Sequence, residues 1–166
     1  MIRRHARTAL AVTVLALLLA PVLAAAQDTG PADPGPWKPR NQGFAGGLSM
    51  HFPNSDFGVR SKTGYGLDLF YVHPVLPLVT ITGSAGYSHF PGEEDLQAVD
   101  MWRFTGGFRF EFGAFYMGGE GGYYTEIDES GFVPSIGLHI GKFEVAGRWK
   151  SSGTSTWTTL RVGYYF

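Results

Sequence analysis

The sequence contains no cysteine, so disulfide scaffolds and thiolate metal sites are excluded. Only 16% of its residues are charged, whereas an average protein has about 25%, and this argues against a charge-rich disordered chain. After the N-terminal segment the chain offers no long apolar run. The nearest candidate, residues 75–81, is short and contains Pro77, so a helical membrane protein is not expected.

Glycine and aromatic residues are abundant, and all of them follow residue 26. The chain has 24 glycines together with 13 Phe, 8 Tyr and 4 Trp. Glycine at this density is costly in helix interiors, so a helical bundle is excluded. The part after residue 26 carries 10 Lys and Arg against 14 Asp and Glu, a net charge of −4 without a basic patch. A nucleic-acid partner is therefore not expected.

The first 26 residues have the pattern of an export signal that is removed. Three arginines, at positions 3, 4 and 7, precede an apolar run over residues 9–20, and Pro21 ends it. The small residues Ala24, Ala25 and Ala26 suit a signal peptidase, which predicts cleavage before Gln27. An uncleaved anchor is the alternative, but the run is short for a bilayer span. Residues 27–41, rich in proline, are predicted to form a flexible periplasmic leader.

The remainder, residues 42–166, alternates between bulky apolar and small or polar residues with the period of two that indicates β-strands. Eight strands are predicted, over residues 43–52, 65–73, 78–89, 101–110, 114–124, 132–140, 143–150 and 156–166. Polar loops are predicted at 53–63, 91–99, 125–131 and 151–155, and tight turns at 74–77, 111–113 and 141–142. Long connections on one side and short ones on the other are typical of a barrel inserted into a membrane from one face.

One parity of the strands carries the bulky residues, and the opposite parity carries the charges. The charged residues are Asp68, Arg103, Arg109, Glu120, Glu144, Arg148, Lys150 and Arg161. The interior of an eight-stranded barrel is just wide enough to be filled by side chains, so it suits the parity of glycine, serine, threonine and a few charges. We therefore predict an all-β, antiparallel, up-and-down transmembrane barrel of eight strands, with its bulky residues toward lipid.

Charges inside a narrow lumen must pair or contact water. We hypothesise a network in which Asp68, Glu120 and Glu144 meet four arginines, those at positions 103, 109, 148 and 161. A hydrated, weakly paired lumen is the alternative.

The last strand carries the most specific signal. Leu160, Val162, Tyr164 and the terminal Phe166 alternate, and this pattern resembles the C-terminal strand signature of bacterial outer-membrane barrels. With the signal peptide and eight strands, the chain resembles the small outer-membrane proteins of the OmpA/OmpX-like class. The resemblance implies a monomer in the outer membrane, recognised by the assembly machinery through its last strand. It also implies aromatic girdles at the two interfaces, formed by Tyr65, Tyr71, Tyr87, Trp102, Tyr123, Trp149, Tyr164 and Phe166.

Candidate catalytic and metal-binding residues are few. Some eight-stranded barrels are lipid A deacylases with a His-Ser pair near the end of the seventh strand, but residues 148–152 here contain no histidine. Ser88 and His89 are adjacent, so on a strand they point to opposite faces. His51 and His139 share the lumen parity and would be neighbours only if the register allowed it, and His73 is expected in a turn. No metal or other cofactor is predicted.

Two acidic loops, around residues 92–95 and 126–129, are candidates for binding a surface partner. The alternative is that they are solvated loop tips. The sequence thus predicts an outer-membrane barrel with a closed lumen, a structural or surface-interaction role and no catalysis. Two other functions stay open, a lipid-modifying enzyme of the outer membrane and a soluble periplasmic carrier like a lipocalin.

Overall fold

The computed structural model describes residues 41–92, 96–151 and 155–166, and these form a closed antiparallel β-barrel. Each strand pairs with the next along the chain, and the last strand pairs with the first. The predicted eight-stranded up-and-down fold is confirmed. The predicted signal, its cleavage site and the leader up to residue 40 lie outside the described residues, as do residues 93–95 of the first acidic loop.

The strands are long, and a single short helix interrupts their order. The elements are β1 Gly43–Asn54, α1 Ser55–Arg60, β2 Gly64–Leu76, β3 Val79–Phe90, β4 Val99–Phe112, β5 Phe115–Tyr124, β6 Glu129–Ile140, β7 Phe143–Lys150 and β8 Thr156–Tyr165. The turn end of the barrel holds the tight turns at 77–78, 113–114 and 141–142, and the loop end holds α1 and the longer connections. Within the described ranges no helix could span a bilayer.

Several predicted boundaries were wrong, and each correction extends ordered structure into a predicted connection. Residues 53–63 are not a simple polar loop, because β1 continues to Asn54 and α1 follows. Helix α1 forms because Phe57 gains burial in the barrel mouth. Strand β2 continues past His73 to Leu76, into the turn predicted at 74–77, and β4 continues past Glu111. Strand β6 begins three residues earlier than predicted, at Glu129.

The stagger of the barrel follows from its register. Following the paired residues once around the barrel leads from Gly43 through Val72, Thr82, Gly107, Glu120, Val133, Lys150 and Trp157 to Pro53. The shift along β1 is ten residues (53 − 43), and closure with this stagger requires strands tilted by about 40°. One residue then rises about 2.4 Å along the barrel axis, and one step to the next strand rises about 3 Å toward the loop end.

The two faces of the wall are divided as predicted, with bulky apolar residues outside and charges inside. Leu48 and Leu69 expose 66% and 53% of their surface, whereas Arg109 and Glu144 expose 1% and none. Leu160, Val162 and Tyr164 of the C-terminal signature lie on the exposed face of β8, and Phe166, directly after the strand, is exposed as well. Of the charged residues in the described strands, Asp100 points outward, and it lies at the loop end of β4.

The lumen differs from the predicted lining of small residues, because several large rings also point inward. Phe70, Tyr116, Tyr124, Trp157 and Tyr165 are all buried there. Inward glycines on other strands make room for them: Gly163 faces the ring of Phe70, and Gly137 faces that of Tyr116. The small-residue parity therefore accommodates large partners, which alternation along one strand does not reveal.

This complementarity predicts a cost for adding one methyl group inside the barrel. A Cβ on Gly163 would lie 2.6 Å from Cζ of the Phe70 ring, which is buried and has little room to shift. We expect Gly163→Ala to lower the free energy of unfolding by about 1–3 kcal/mol, the usual effect of overpacking. Urea unfolding of the refolded barrel would measure the change.

Gly83→Ala is the matched control on the outer face. A Cβ on Gly83 would come no closer than 3.9 Å to its nearest neighbour, the carbonyl oxygen of Thr105. Alanine is also favoured over glycine within a strand by about 0.5–1 kcal/mol, so this variant should be no less stable than the parent. Equal losses in the two variants would contradict the packing argument.

Candidate functional site

The lumen is the candidate site, since it holds the buried charges. Its lower half, which is the half toward the turn end, centres on Glu144. Each oxygen of this carboxylate accepts two hydrogen bonds. Oε2 accepts from Arg109 Nη1 at 2.8 Å and from the Tyr165 hydroxyl at 2.7 Å. Oε1 accepts from Arg161 Nη2 at 2.6 Å and from the Tyr116 hydroxyl at 2.9 Å. One anion on β7 thus holds side chains from β4, β5 and β8.

Aromatic faces support the same two arginines. The guanidinium carbon of Arg161 lies 4.0 Å from the centre of the Phe70 ring, and that of Arg109 lies 4.4 Å from the centre of the Tyr116 ring. Cation–π contacts of this kind gain strength when the cation is desolvated. We call Glu144, Arg109, Arg161, Tyr116 and Tyr165 the lower ionic layer.

The upper ionic layer contains two further ion pairs, Asp68 with Arg103 and Glu120 with Arg148. Arg103 Nη2 lies 3.0 Å from Asp68 Oδ1, and Arg148 donates to Glu120 Oε2. The hydroxyl groups of Ser49 and Thr105 donate to these carboxylates. All four charged side chains are buried, so each charge is compensated by neighbours and not by bulk solvent.

Two more carboxylates, which the sequence interpretation did not place in the lumen, occupy its ends. At the turn end, Glu111 lies 3.1 Å from Nε2 of His139, whose Nδ1 is 3.1 Å from the amide of buried Asn41. At the loop end, Lys150 Nζ lies 2.8 Å from Glu129 Oε2. The five buried Arg and Lys side chains are therefore equal in number to the five carboxylates of the lumen, where the sequence alone had suggested an excess of two positive charges; Glu144 contacts two arginines, and Glu111 faces His139.

The missed carboxylates lay at strand ends. Glu111 has the same parity as Arg103 and Arg109, so extending the predicted fourth strand by one residue would have placed it inside. Glu129 likewise belongs to the inward parity of β6, whose start was placed at residue 132. The inward parity of Glu111 and Glu129 was the available signal, but both residues fell outside the predicted strand boundaries.

One apolar cluster closes the loop end of the lumen, and a second packs against the lower ionic layer. The outer plug consists of Phe57, Phe90, Met101, Tyr124, Val133 and Trp157, and the inner plug of Ala45, Phe70, Val72 and Tyr165. Lys150 is held against the outer plug, with its ammonium 4.4 Å from the centre of the Trp157 ring. Because Trp157 and Phe90 expose 2% and none of their surface, the outer plug shields the ionic layers from solvent.

The histidines and Ser88 do not assemble a hydrolytic site among the described residues. Ser88 points inward and lies 3.0 Å from Nε2 of His51, while its neighbour His89 points outward. Nδ1 of His51 contacts the hydroxyl of Thr159 at 2.9 Å, where a catalytic triad would have a carboxylate. Ser88 and His51 have no exposed surface, and His139 lies near the opposite end of the barrel.

The outer face near the loop end carries a polar rim. Tyr87 and His89 both contact Asp100 Oδ1 at 2.6 Å, and the Tyr123 hydroxyl donates to Asp128 at 2.8 Å. The rings of Tyr87 and Trp102 pack with their centres 5.6 Å apart. Tyrosine and tryptophan with polar tips suit the level at which hydrocarbon meets headgroups.

Comparison with known proteins gives structural likeness alone. No protein-family model matches the sequence, and no curated protein sequence matches it. The similar solved structures include "KdgM porin in complex with disordered oligogalacturonate", at 9% sequence identity, and "KdgM porin", at 10%. Each has a TM-score of 0.37 and covers 74% of this chain and 99% of the porin chain. Similarity of this degree assigns neither a ligand nor an activity to the chain.

Proposed function

We propose that the chain is a monomeric outer-membrane β-barrel with a closed lumen, a structural or surface-interaction role and no catalytic activity. The observation that carries the proposal is that the barrel wall has an apolar outer face and a charged inner face. Between the two aromatic girdles the outward residues of the described strands carry no charge, and many are large and apolar. An apolar surface that surrounds the molecule would drive a soluble protein to aggregate, whereas it matches the hydrocarbon of a bilayer.

The proposed cellular location rests on this surface together with the sequence patterns near the two ends of the chain. The basic and apolar start of the sequence supports export, and a barrel with the alternating C-terminal pattern is a substrate for outer-membrane assembly. Leu160, Val162 and Tyr164 are exposed on β8, where the assembly machinery could contact them. The exposed loop residues Glu126 and Asp128 are candidates for contact with a surface partner.

Closure of the lumen supports a role other than that of an open porin. Both ionic layers are buried, the upper one beneath the outer plug and the lower one beside the inner plug, so a hydrated path would require ion pairs and aromatic rings to move together. We expect the refolded protein to show no stepwise conductance in planar lipid bilayers, with a known porin as the positive control. Regular single-channel steps that depend on the folded protein would contradict a closed lumen.

The decisive test of the membrane proposal is the behaviour of the protein after cell breakage and refolding. We expect it in the outer-membrane fraction, with heat-dependent migration on gels and with barrel strands protected from protease in vesicles. Recovery in the soluble periplasmic fraction would support the carrier alternative instead. Turnover of lipid A or phospholipid by the purified barrel would overturn the absence of catalysis.

A further inference from the structure

The lipid-facing apolar band is shorter on β7 and β8 than on β4. On β4 the outward apolar residues extend from Phe112 to Trp102, a span of ten residues (112 − 102). On β7 they extend from Phe143 to Trp149, a span of six residues (149 − 143). With about 2.4 Å of axial rise per residue, the bands are about 24 Å and about 14 Å high.

About half of the difference lies at the turn end, where Phe112 extends the β4 band two residues beyond Phe110, and the other half lies at the loop end, as the register shows. Phe110 pairs with Met117, Met117 with Ile136, and Ile136 with Gly147, so three strand steps place Gly147 about 9 Å above Phe110. Phe143 is four residues below Gly147 and is therefore level with Phe110. Trp149 is two residues above Gly147 and so lies about 5 Å closer to the turn end than Trp102.

On β8 the outward residues above the band are polar. Leu160 is exposed, and the next two outward positions toward the loop end are Thr158 and Thr156. Thr158 pairs with Trp149, so both strands leave the apolar pattern at the same level. Hydrocarbon as high as on β4 would cover Thr158.

A break in the hydrogen-bond ladder occurs at the same place, and it is an independent observation. Phe132 and Ser151 exchange backbone hydrogen bonds of 3.2 and 3.0 Å. Hydrogen-bonded pairs recur at every second residue of an antiparallel ladder, so the next such pair is Pro134 with Trp149. Proline has no N–H to donate, and the Trp149 carbonyl oxygen lacks this ladder bond. In hydrocarbon such a group costs several kcal/mol, whereas water can satisfy it.

We propose that the outer boundary of the hydrocarbon meets the β7–β8 wall lower than the β3–β4 wall, so that the bilayer is locally thin beside β7 and β8. A bilayer accommodates a short apolar span by thinning at modest cost. Thinning brings Trp149 to the interface and lets water reach its carbonyl oxygen and Thr158. This inference rests on the proposed membrane location.

Depth-dependent fluorescence quenching tests the proposal. One variant keeps Trp102 and has Trp37 and Trp149 replaced by Phe. Another keeps Trp149 and has Trp37 and Trp102 replaced by Phe. Trp157, enclosed in the outer plug, stays in both, and a variant with Trp157 alone supplies the background. The proteins are refolded in phosphatidylcholine vesicles whose lipids carry bromine either near the headgroup or near the bilayer centre.

We expect the same ratio of shallow to deep quenching for Trp102 and Trp149. A distinctly smaller ratio for Trp149 would place it deeper, as in a bilayer of uniform thickness, and would overturn the inference. If neither tryptophan is quenched above background, the membrane location fails as well.

A tilted barrel would also equalise the two depths, and a second pair of variants separates tilt from thinning. Phe110 and Phe143 are exposed and level at the turn end. With Trp102 and Trp149 both replaced by Phe, Phe110→Trp and Phe143→Trp should show equal ratios if the bilayer thins. A deeper position for Phe143→Trp indicates tilt and overturns the proposal.

Discussion

Replacing Glu144 with Gln is expected to lower the free energy of unfolding by about 3–5 kcal/mol, because removing one partner from a buried ion pair leaves a charge uncompensated. Here the loss affects two arginines, Arg109 and Arg161, which both lie within 2.8 Å of the carboxylate. Glutamine keeps the size of the side chain and removes its charge, so the change reports on electrostatics and not on a cavity. Urea unfolding of the barrel refolded in detergent would measure it.

Two further variants calibrate this expectation. Glu126→Gln removes an exposed charge in a loop and should change stability by less than about 0.5 kcal/mol. Glu120→Leu leaves one arginine, Arg148, without its partner and should have a smaller effect than Glu144→Gln. If Glu144→Gln were as stable as the parent, the lumen would be hydrated and weakly paired, which is the alternative left open by the sequence.

Introducing arginine on the outer face is the second change with a large expected effect. Leu69 is 53% exposed and lies near the middle of β2, close to the midplane of the proposed membrane span. We expect Leu69→Arg to destabilise the barrel by about 2–4 kcal/mol in lipid vesicles, since that is the cost of a charge at the bilayer midplane. The free energy of unfolding in vesicles is the quantity to measure.

The matched control lies on the same strand and the same face. Tyr65 is exposed at the loop-end girdle, where an arginine costs only about 0–1 kcal/mol. A barrel surrounded by water would tolerate Leu69→Arg and Tyr65→Arg about equally well. Equal effects of the two substitutions would therefore contradict the membrane-spanning proposal, independently of the lumen.

Alternation within strands was sufficient to predict most of the wall. Arg103 and Arg109 share one parity of β4, and Trp102, Phe108 and Phe110 share the other, so both faces were assigned without coordinates. The prediction failed where a strand ends, because a few residues of alternation cannot be told from a turn. For this reason Glu111 was not predicted to lie in the lumen. Phe57 was not predicted to be buried, because it lies in a segment with no strand pattern.

The partners inside the barrel could not be derived in the same way. Glu144 on β7 meets Arg109 on β4 and Arg161 on β8, and Gly163 accommodates a ring from β2. These contacts depend on the ten-residue stagger and on the reach of long side chains across the lumen. Neither the stagger nor this reach can be predicted from the alternation of residues along a single strand.

What the sequence by itself determined is the fold class and the side of the wall on which each strand residue lies, because successive side chains of a strand must point in opposite directions. What only the tertiary structure decided is which charges meet, how aromatic plugs close the lumen, and where the apolar band is short. Those features arise when eight strands close with one common stagger, which brings together residues far apart in the chain.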